Sequence, residues 1–164
     1  MIGYNSDDKE DTMKSTKIVI ILMIVLMLTG CGKKTLEITS IANHTELVEN
    51  SKYGEISMEF AKLDGEDIRA FSSKKGEEYK FEFNYLIKEG NLNLQFRDSQ
   101  DNIISDINLS EKEYMNELEQ LQQECDGDVN IEEFCRNIVI ESSDNKIKVA
   151  LIGEKAKGKI DIIW

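Results

Sequence analysis

The sequence predicts a mainly β fold, an antiparallel β-sandwich of about eight short strands with one inserted amphipathic helix near residues 110–124. Three observations predict it. From Thr35 onward apolar residues recur mostly every second position, the signature of strands with one buried side. Polar and glycine-containing turns separate these runs at a spacing that suits two packed sheets, and a partly open barrel satisfies the same pattern. A single stretch changes to helical spacing.

The chain opens differently. Lys14 and Lys17 precede an unbroken apolar run from Ile18 to Leu28, 11 residues long. A bilayer crossing needs roughly 20 such residues, so the run has the length of a secretory hydrophobic region. Leu28-Thr29-Gly30-Cys31 follows it directly. A single-pass anchor is the competing reading. The sequence Leu-Thr-Gly-Cys resembles the lipobox of bacterial lipoproteins. That resemblance implies that residues 1–30 are a signal peptide, that the Cys31 thiol takes a diacylglyceryl group, and that cleavage leaves Cys31 as the new N-terminus. It places the protein at the cell membrane, on the extracytoplasmic face, held by its acyl chains. Asp7, Asp8, Glu10 and Asp11 make a poor basic start, whereas Met13 to Lys17 makes an ordinary one, so Met13 is the expected initiator.

From Cys31 the chain has 134 residues, enough for one domain with one modest core. Residues 31–34 form a short lipidated tether and residues 35–164 the domain, with an acidic helical insert at 110–135. Past Gly30 there are 17 Lys and Arg against 28 Asp and Glu. Such a balance disfavours nucleic acid and anionic lipid headgroups as direct partners.

In chain order, Leu36 and Ile38 alternate with polar neighbours, then Ile56, Met58 and Phe60, then Ile68, Ala70 and Phe71. The clearest strand is Tyr79, Phe81, Phe83, Tyr85 and Ile87. Glu89-Gly90-Asn91 suits a hairpin before Leu92, Leu94 and Phe96. A polar turn at Asp98 to Asn102 leads to Ile103, Ile104 and Ile107. Ser110 with Glu113 matches a capping box and Leu109 with Tyr114 a hydrophobic staple, and Tyr114, Met115, Leu118 and Leu121 then mark one helical face. Ile138 and Ile140 precede a turn at Ser142 to Asn145, and Ile147, Val149 and Leu151 follow it. Gly153 to Gly158 reads as another turn before Ile160, Ile162 and Trp164, whose indole is expected to plug the core. The β portions, Gly54 to Ile107 and Asn137 to Trp164, resemble small secreted lipoproteins of low-GC Gram-positive bacteria in strand rhythm and closing glycine-centred motif. That resemblance carries no functional residues with it.

Candidate chemistry is sparse. Once Cys31 carries lipid, Cys125 and Cys135 remain outside the cell, where a disulfide persists; two reduced, half-buried thiols are the alternative. His44 is the only histidine and falls in a loop-like stretch, where an exposed side chain is expected. No Gly-x-Ser-x-Gly elbow, phosphate-binding glycine loop or dinucleotide pattern occurs. Gln122 to Phe134 reads as a partial EF-hand loop, with Glu124, Asp126, Asp128 and Glu133 as oxygen donors for Ca²⁺ and Gly127 at the sharp turn. Gln122, where aspartate is usual, and an exit segment that becomes a strand count against it. Calcium aside, no cofactor is expected. Tyr53, Tyr79, Tyr85, Phe81 and Phe83 form either a sugar-stacking platform or, at strict strand spacing, core. The leading expectation is a lipid-anchored, non-catalytic module that offers a binding surface outside the cell. Between Glu111 and Glu133 stand nine acidic residues and one lysine, which points to a basic protein or peptide as partner. An envelope-acting hydrolase built on His44 is the alternative from another class.

Overall fold

The computed structural model describes residues 34–124 and 134–164. Eight antiparallel strands and one helix follow in chain order. They are β1 (Leu36–Ser40), β2 (Asn43–Thr45), β3 (Val48–Glu49), β4 (Glu55–Ser72), β5 (Glu78–Arg97), β6 (Ile103–Ser110), α1 (Glu111–Glu124), β7 (Phe134–Glu141) and β8 (Lys146–Ile163). The predicted sandwich forms, but three of its strands are not short. β4, β5 and β8 hold 18, 20 and 18 residues, and each passes through both sheets.

The first sheet runs β3, the start of β4, the end of β8, the start of β5, then β7. The second runs β1, the end of β4, the start of β8, the end of β5, then β6. β2 pairs with β4 between them, at Lys62 to Asp64. One continuous ladder is therefore bent over on itself so that its two halves face each other. Phe81 and Phe96, both on β5, show this directly: they belong to opposite sheets and their ring centroids lie 4.6 Å apart. Phe71 of the second sheet meets Tyr79 and Phe81 of the first at 5.6 and 6.2 Å.

Two predicted turns are corner bends instead. Glu89-Gly90-Asn91 is no hairpin, and Gly153 to Gly158 no turn, because β5 and β8 continue through them with their register shifted by bulges. A bulge bends a strand and raises its twist without ending the ladder. Here the strands cross too closely for side chains. A methyl group on Gly153 would stand 2.5 Å from the Leu63 carbonyl, and one on Gly158 2.0 Å from the Leu86 carbonyl. Gly90 combines the same constraint, 2.5 Å to the Lys155 carbonyl, with φ of +73°.

The core holds Ile56, Met58 and Phe60 with Phe81, Phe83, Tyr85 and Ile87 from the first sheet, and Leu92, Leu94, Phe96, Val149 and Leu151 from the second. Trp164 stacks on Phe71 at 4.6 Å, in the plugging role expected of it. In β4 the inward positions beyond the corner are Asp67, Arg69 and Phe71; Ile68 and Ala70 face outward. The simple apolar pattern reads this stretch one residue out of phase.

Helix α1 starts where its capping box places it. Ser110 Oγ accepts from the Glu113 amide at 3.1 Å and Glu113 Oε2 accepts from the Ser110 amide at 3.2 Å. Tyr114, Leu118 and Leu121 turn to the core, whereas Met115 is exposed, contrary to the predicted face. The two polar turns are as predicted and are tied by carboxylates. Asp98 accepts from the Asn102 side chain (2.8 Å) and from the Gln100 and Asn102 amides (2.8 and 2.9 Å). Asp144 accepts from Ser99 and from the Lys146 amide. These bonds, the Asn102 and Ser99 side chains foremost, hold both carboxyls below the ordinary aspartate value.

Two outcomes follow. Gly90→Ala should lower unfolding free energy by about 1–3 kcal/mol more than Gly76→Ala, measured by urea titration. Both glycines have positive φ, but Gly76 has open space where a methyl would go, so the difference isolates the close crossing. Because both aspartates titrate lower when folded, their stabilisation is complete above the ordinary value of 3.8 and is lost as pH falls below it. Asp144→Ala should lower the thermal midpoint at neutral pH and flatten its decline in that acid range.

Candidate functional site

The outer face of the second sheet is the most built polar surface among the described residues. On β5 the outward positions are Asn91, Asn93, Gln95 and Arg97, because Leu92, Leu94 and Phe96 point to the core. Register places Asn93 between Asn108 of β6 and Ile152 of β8, and Gln95 between Asp106 and Ala150. A groove of about 350 Å³ is lined by Asn91, Asn93, Gln95, Asn108, Ile152 and Glu154. Four amides and a carboxylate thus surround one aliphatic side chain.

These groups hold one another in place. Asp106 accepts from Asn93 Nδ2 at 2.5 Å and from Gln95 Nε2 at 3.2 Å. Arg97 donates through Nε and Nη2 to Gln95 Oε1 at 2.8 and 2.6 Å, and Arg97 pairs with Glu66 at 2.8 Å. Asn91 Nδ2 reaches Glu154 at 3.4 Å. One acceptor is left over: Asn93 Oδ1 is shielded and has no partner. A polar array fixed by its own hydrogen bonds around an apolar floor has the make-up of a small-ligand surface.

His44 is not the exposed loop residue expected. It lies on β2 opposite Leu63, its side chain 15% exposed, with Nε2 at 3.2 Å from Ser40 Oγ and 3.1 Å from Asp67 Oδ2. Serine, histidine and aspartate therefore do meet. Their geometry is nonetheless wrong for a relay, which uses one ring nitrogen for the serine and the other for the carboxylate. Here both contacts fall on Nε2. If that nitrogen donates to Asp67 it cannot accept the serine proton. Asp67 is committed elsewhere too: its Oδ1 takes Arg69 Nη1 at 2.6 Å, and both residues are 0% exposed. Glu49 completes the cluster, accepting from Arg69 Nε and Nη2 at 2.9 and 2.7 Å. This is a buried ion network that fastens β1, β2 and β3 to β4.

The remaining predicted groups divide cleanly. Phe81, Phe83 and Tyr85 are core, so the five-ring stacking platform does not form; Tyr53 and Tyr79 are half-buried at one end of the sandwich. Burial first, and then the hydrogen bond to Glu77, raises the Tyr79 phenol; burial also raises Tyr85, against the opposing pull of Arg136. The acidic surface of α1 is smaller than its composition implies. Glu113 is spent on the cap, and Glu117 accepts from Tyr85 Oη at 2.9 Å and pairs with Arg136, leaving, among the described side chains of the helix, Glu111 and Glu119 exposed beside Lys112.

Cys135 is exposed on the outer face of the first sheet, its Sγ 3.9 Å from Glu82. Cys31, Cys125, Asp126, Asp128, Glu133 and the Glu124 side chain lie outside the described residues, and with them the lipid site, the disulfide and the calcium loop. Among the described residues no cluster of His, Cys, Asp and Glu suits a metal ion, and no helix is long and apolar enough to cross a membrane.

No family model matches the chain, and no curated relative is found. Solved structures of similar strand arrangement exist. One is described as CBM4 structure and function, with a TM-score of 0.43, 12% identity, and coverage of 78% of this chain and 82% of that one. A second is the carbohydrate-binding module CBM6cm-2 from Cellvibrio mixtus lichenase 5A in complex with cellotriose, with a TM-score of 0.41, 10% identity, and coverage of 76% and 90%. A third is TmCBM61 in complex with beta-1,4-galactotriose, with a TM-score of 0.36, 14% identity, and coverage of 78% and 83%. Values this low carry neither residues nor ligands across.

The buried network makes its own prediction. Asp67→Ala should cost about 3–5 kcal/mol in urea unfolding, because Arg69 is left buried beside Glu49 alone. His44→Ala should cost about 1 kcal/mol, the worth of one hydrogen bond.

Proposed function

We propose that this chain is a lipid-anchored, non-catalytic binding module on the outside of the cell, and that it holds a neutral polyhydroxylated ligand, a glycan, on the amide-lined face of the second sheet. The observation that carries this reading is the array of Asn91, Asn93, Gln95, Asn108 and Glu154 around Ile152. Asn91 and Asn108 are exposed and present amide donors and acceptors in one plane, which matches vicinal hydroxyl groups, each both donor and acceptor. Asn93 and Gln95 are held behind them by Asp106 and Arg97. Glu154 and Asp106 add charge-assisted acceptors for hydroxyl protons. Ile152, over the buried Ala150, supplies an apolar patch for the C–H face of a sugar ring. A chain with a net charge of −12 repels polyanions, which favours a neutral ligand. The support is this face alone, since the modules named above share too little structure with the chain to lend it.

Anchoring follows from Leu28-Thr29-Gly30-Cys31, and the compartment follows from anchoring. Mass spectrometry of the native membrane fraction should find an acylated N-terminal peptide beginning at Cys31, and Cys31→Ala should release the chain from membranes. In detergent solution, full-length protein should bind members of a neutral oligosaccharide panel by calorimetry. Asn93→Ala and Asn108→Ala should each weaken the association constant about tenfold, the factor for one lost hydrogen bond with its partner stranded. Absence of binding across the panel at millimolar sugar, or binding indifferent to both substitutions, would sink the glycan reading.

A further inference from the structure

We infer that the domain rests on the lipid surface by the end that carries Lys34, Tyr53, Lys74 and Tyr79, with those side chains among anionic phosphate headgroups. This rests on the acylation of Cys31 proposed above. Lys34 stands three positions after Cys31, and an extended chain spans at most about 3.6 Å per residue. Whichever end of the sandwich holds Lys34 is therefore kept within about 11 Å of the acyl chains, little more than the headgroup layer. Lys34 is docked at that end: its Nζ sits 5.1 Å from the centre of the Tyr53 ring.

The composition of this end fits such a surface. A groove of about 310 Å³ is lined by Lys34, Tyr53, Ser72, Ser73, Lys74, Glu77 and Tyr79. Tyr53 and Tyr79 lean their rings on Phe71, at 5.8 and 5.6 Å, and are half-buried. Amphipathic rings of this kind settle at the headgroup level. Lys52, Lys74 and Lys75 are exposed around the groove with Lys34. Of the acids at this end, Glu55 is paired with Lys52 at 2.7 Å, Glu37 with Lys146 and Asp101 with Lys148 at 2.8 Å each, and Glu77 accepts from Tyr79 Oη at 3.0 Å. Asp98 and Asp144 are engaged in the turn hydrogen bonds, and Glu78 and Glu141, opposite each other in register, are exposed beside Lys34, Lys74 and Lys75. Lysines so placed are drawn to an anionic leaflet.

The other end of the molecule argues the same way. α1 begins at Ser110, which register sets opposite Asn91 at the corner, while Ser72 and Lys146 mark the tether end of the same sheet. About seven residues of strand, roughly 23 Å, separate the two ends. That exceeds the Debye length of about 8 Å, so Glu111 and Glu119 escape the repulsion they would meet at an anionic surface. The amide-lined face then stands sideways to the membrane, open to solvent.

Trp164 is the only tryptophan and lies 6.0 Å from Tyr53, so it reports contact at this end. The test uses the acylated full-length chain in phosphatidylglycerol-containing vesicles bearing headgroup spin-labelled lipid. Trp164 emission should be quenched, and most of the quenching should be lost in Lys34→Glu/Lys74→Glu or in pure phosphatidylcholine, with the circular dichroism spectrum unchanged. An acylated chain whose Trp164 is unquenched, or is quenched equally in the double variant, overturns the orientation alone. A chain shown by mass spectrometry to carry no acyl group overturns the anchor and the orientation together.

Discussion

The corner, where three long strands cross with no room for side chains, is the constraint on which the rest of the structure depends. β4, β5 and β8 belong to both sheets, so neither sheet exists without the other. Bulges at Phe60 to Gly65 and at Ile87 to Asn91 supply the bend, and Gly90, Gly153 and Gly158 supply the clearance. Bending a ladder in this way, without cutting it, keeps its backbone groups paired through the turn, where a loop would have to find other partners. It also fixes which residues are neighbours on the outer faces. Asn93 meets Asn108 and Ile152 only because β5 has passed the corner with that register.

A second element of order is the charge buried at the edge of the second sheet. Arg69 and Asp67 occupy inward positions of β4 that the rest of the strand gives to apolar side chains. Two ions in such a place are tolerated only when their hydrogen bonds are nearly all made. Glu49 from β3 pairs with Arg69, and His44 Nε2 of β2 lies 3.1 Å from Asp67 Oδ2, which makes no hydrogen bond, so short strands with few ladder bonds are tied down by side chains instead. The same arrangement explains why a histidine beside a serine and an aspartate gives no nucleophile. His44 Nε2 faces both groups at once and holds the edge.

Polar groups are distributed unevenly around the sandwich, and the unevenness has a direction. Lysines, half-buried tyrosines and the glutamates Glu77, Glu78 and Glu141 share the end near Lys34, amides cover one sheet face, and α1 begins at the corner. In a protein of strong negative charge such a separation gives a molecule with distinct ends. The lysine-bearing end, the amide face and the helix consequently do not share one surface.

Much of this was legible in the residues. Strand existence follows from alternation at Tyr79 to Ile87 and Ile147 to Leu151, and the helix start from Ser110 and Glu113, because these signals are local: each depends on neighbours within a few positions. The apolar run from Ile18 to Leu28 and the Leu-Thr-Gly-Cys that follows it are likewise properties of contiguous sequence. What the sequence did not disclose is what depends on pairing across the chain. Glycines at 90, 153 and 158 look alike whether a strand turns back or bends onward, since both need a residue without a side chain. Asp67 and Arg69 read as surface residues until each is seen to neutralise the other. The amide face likewise gathers from β5, β6 and β8, which are distant in sequence, and the two short-range motifs weighed for chemistry, His44 and the acidic loop, gave no hint of it. By itself the sequence determined the kinds of element and their order. Only tertiary structure decided which faces meet, because register and the corner crossing are set by contacts between segments that no local pattern encodes.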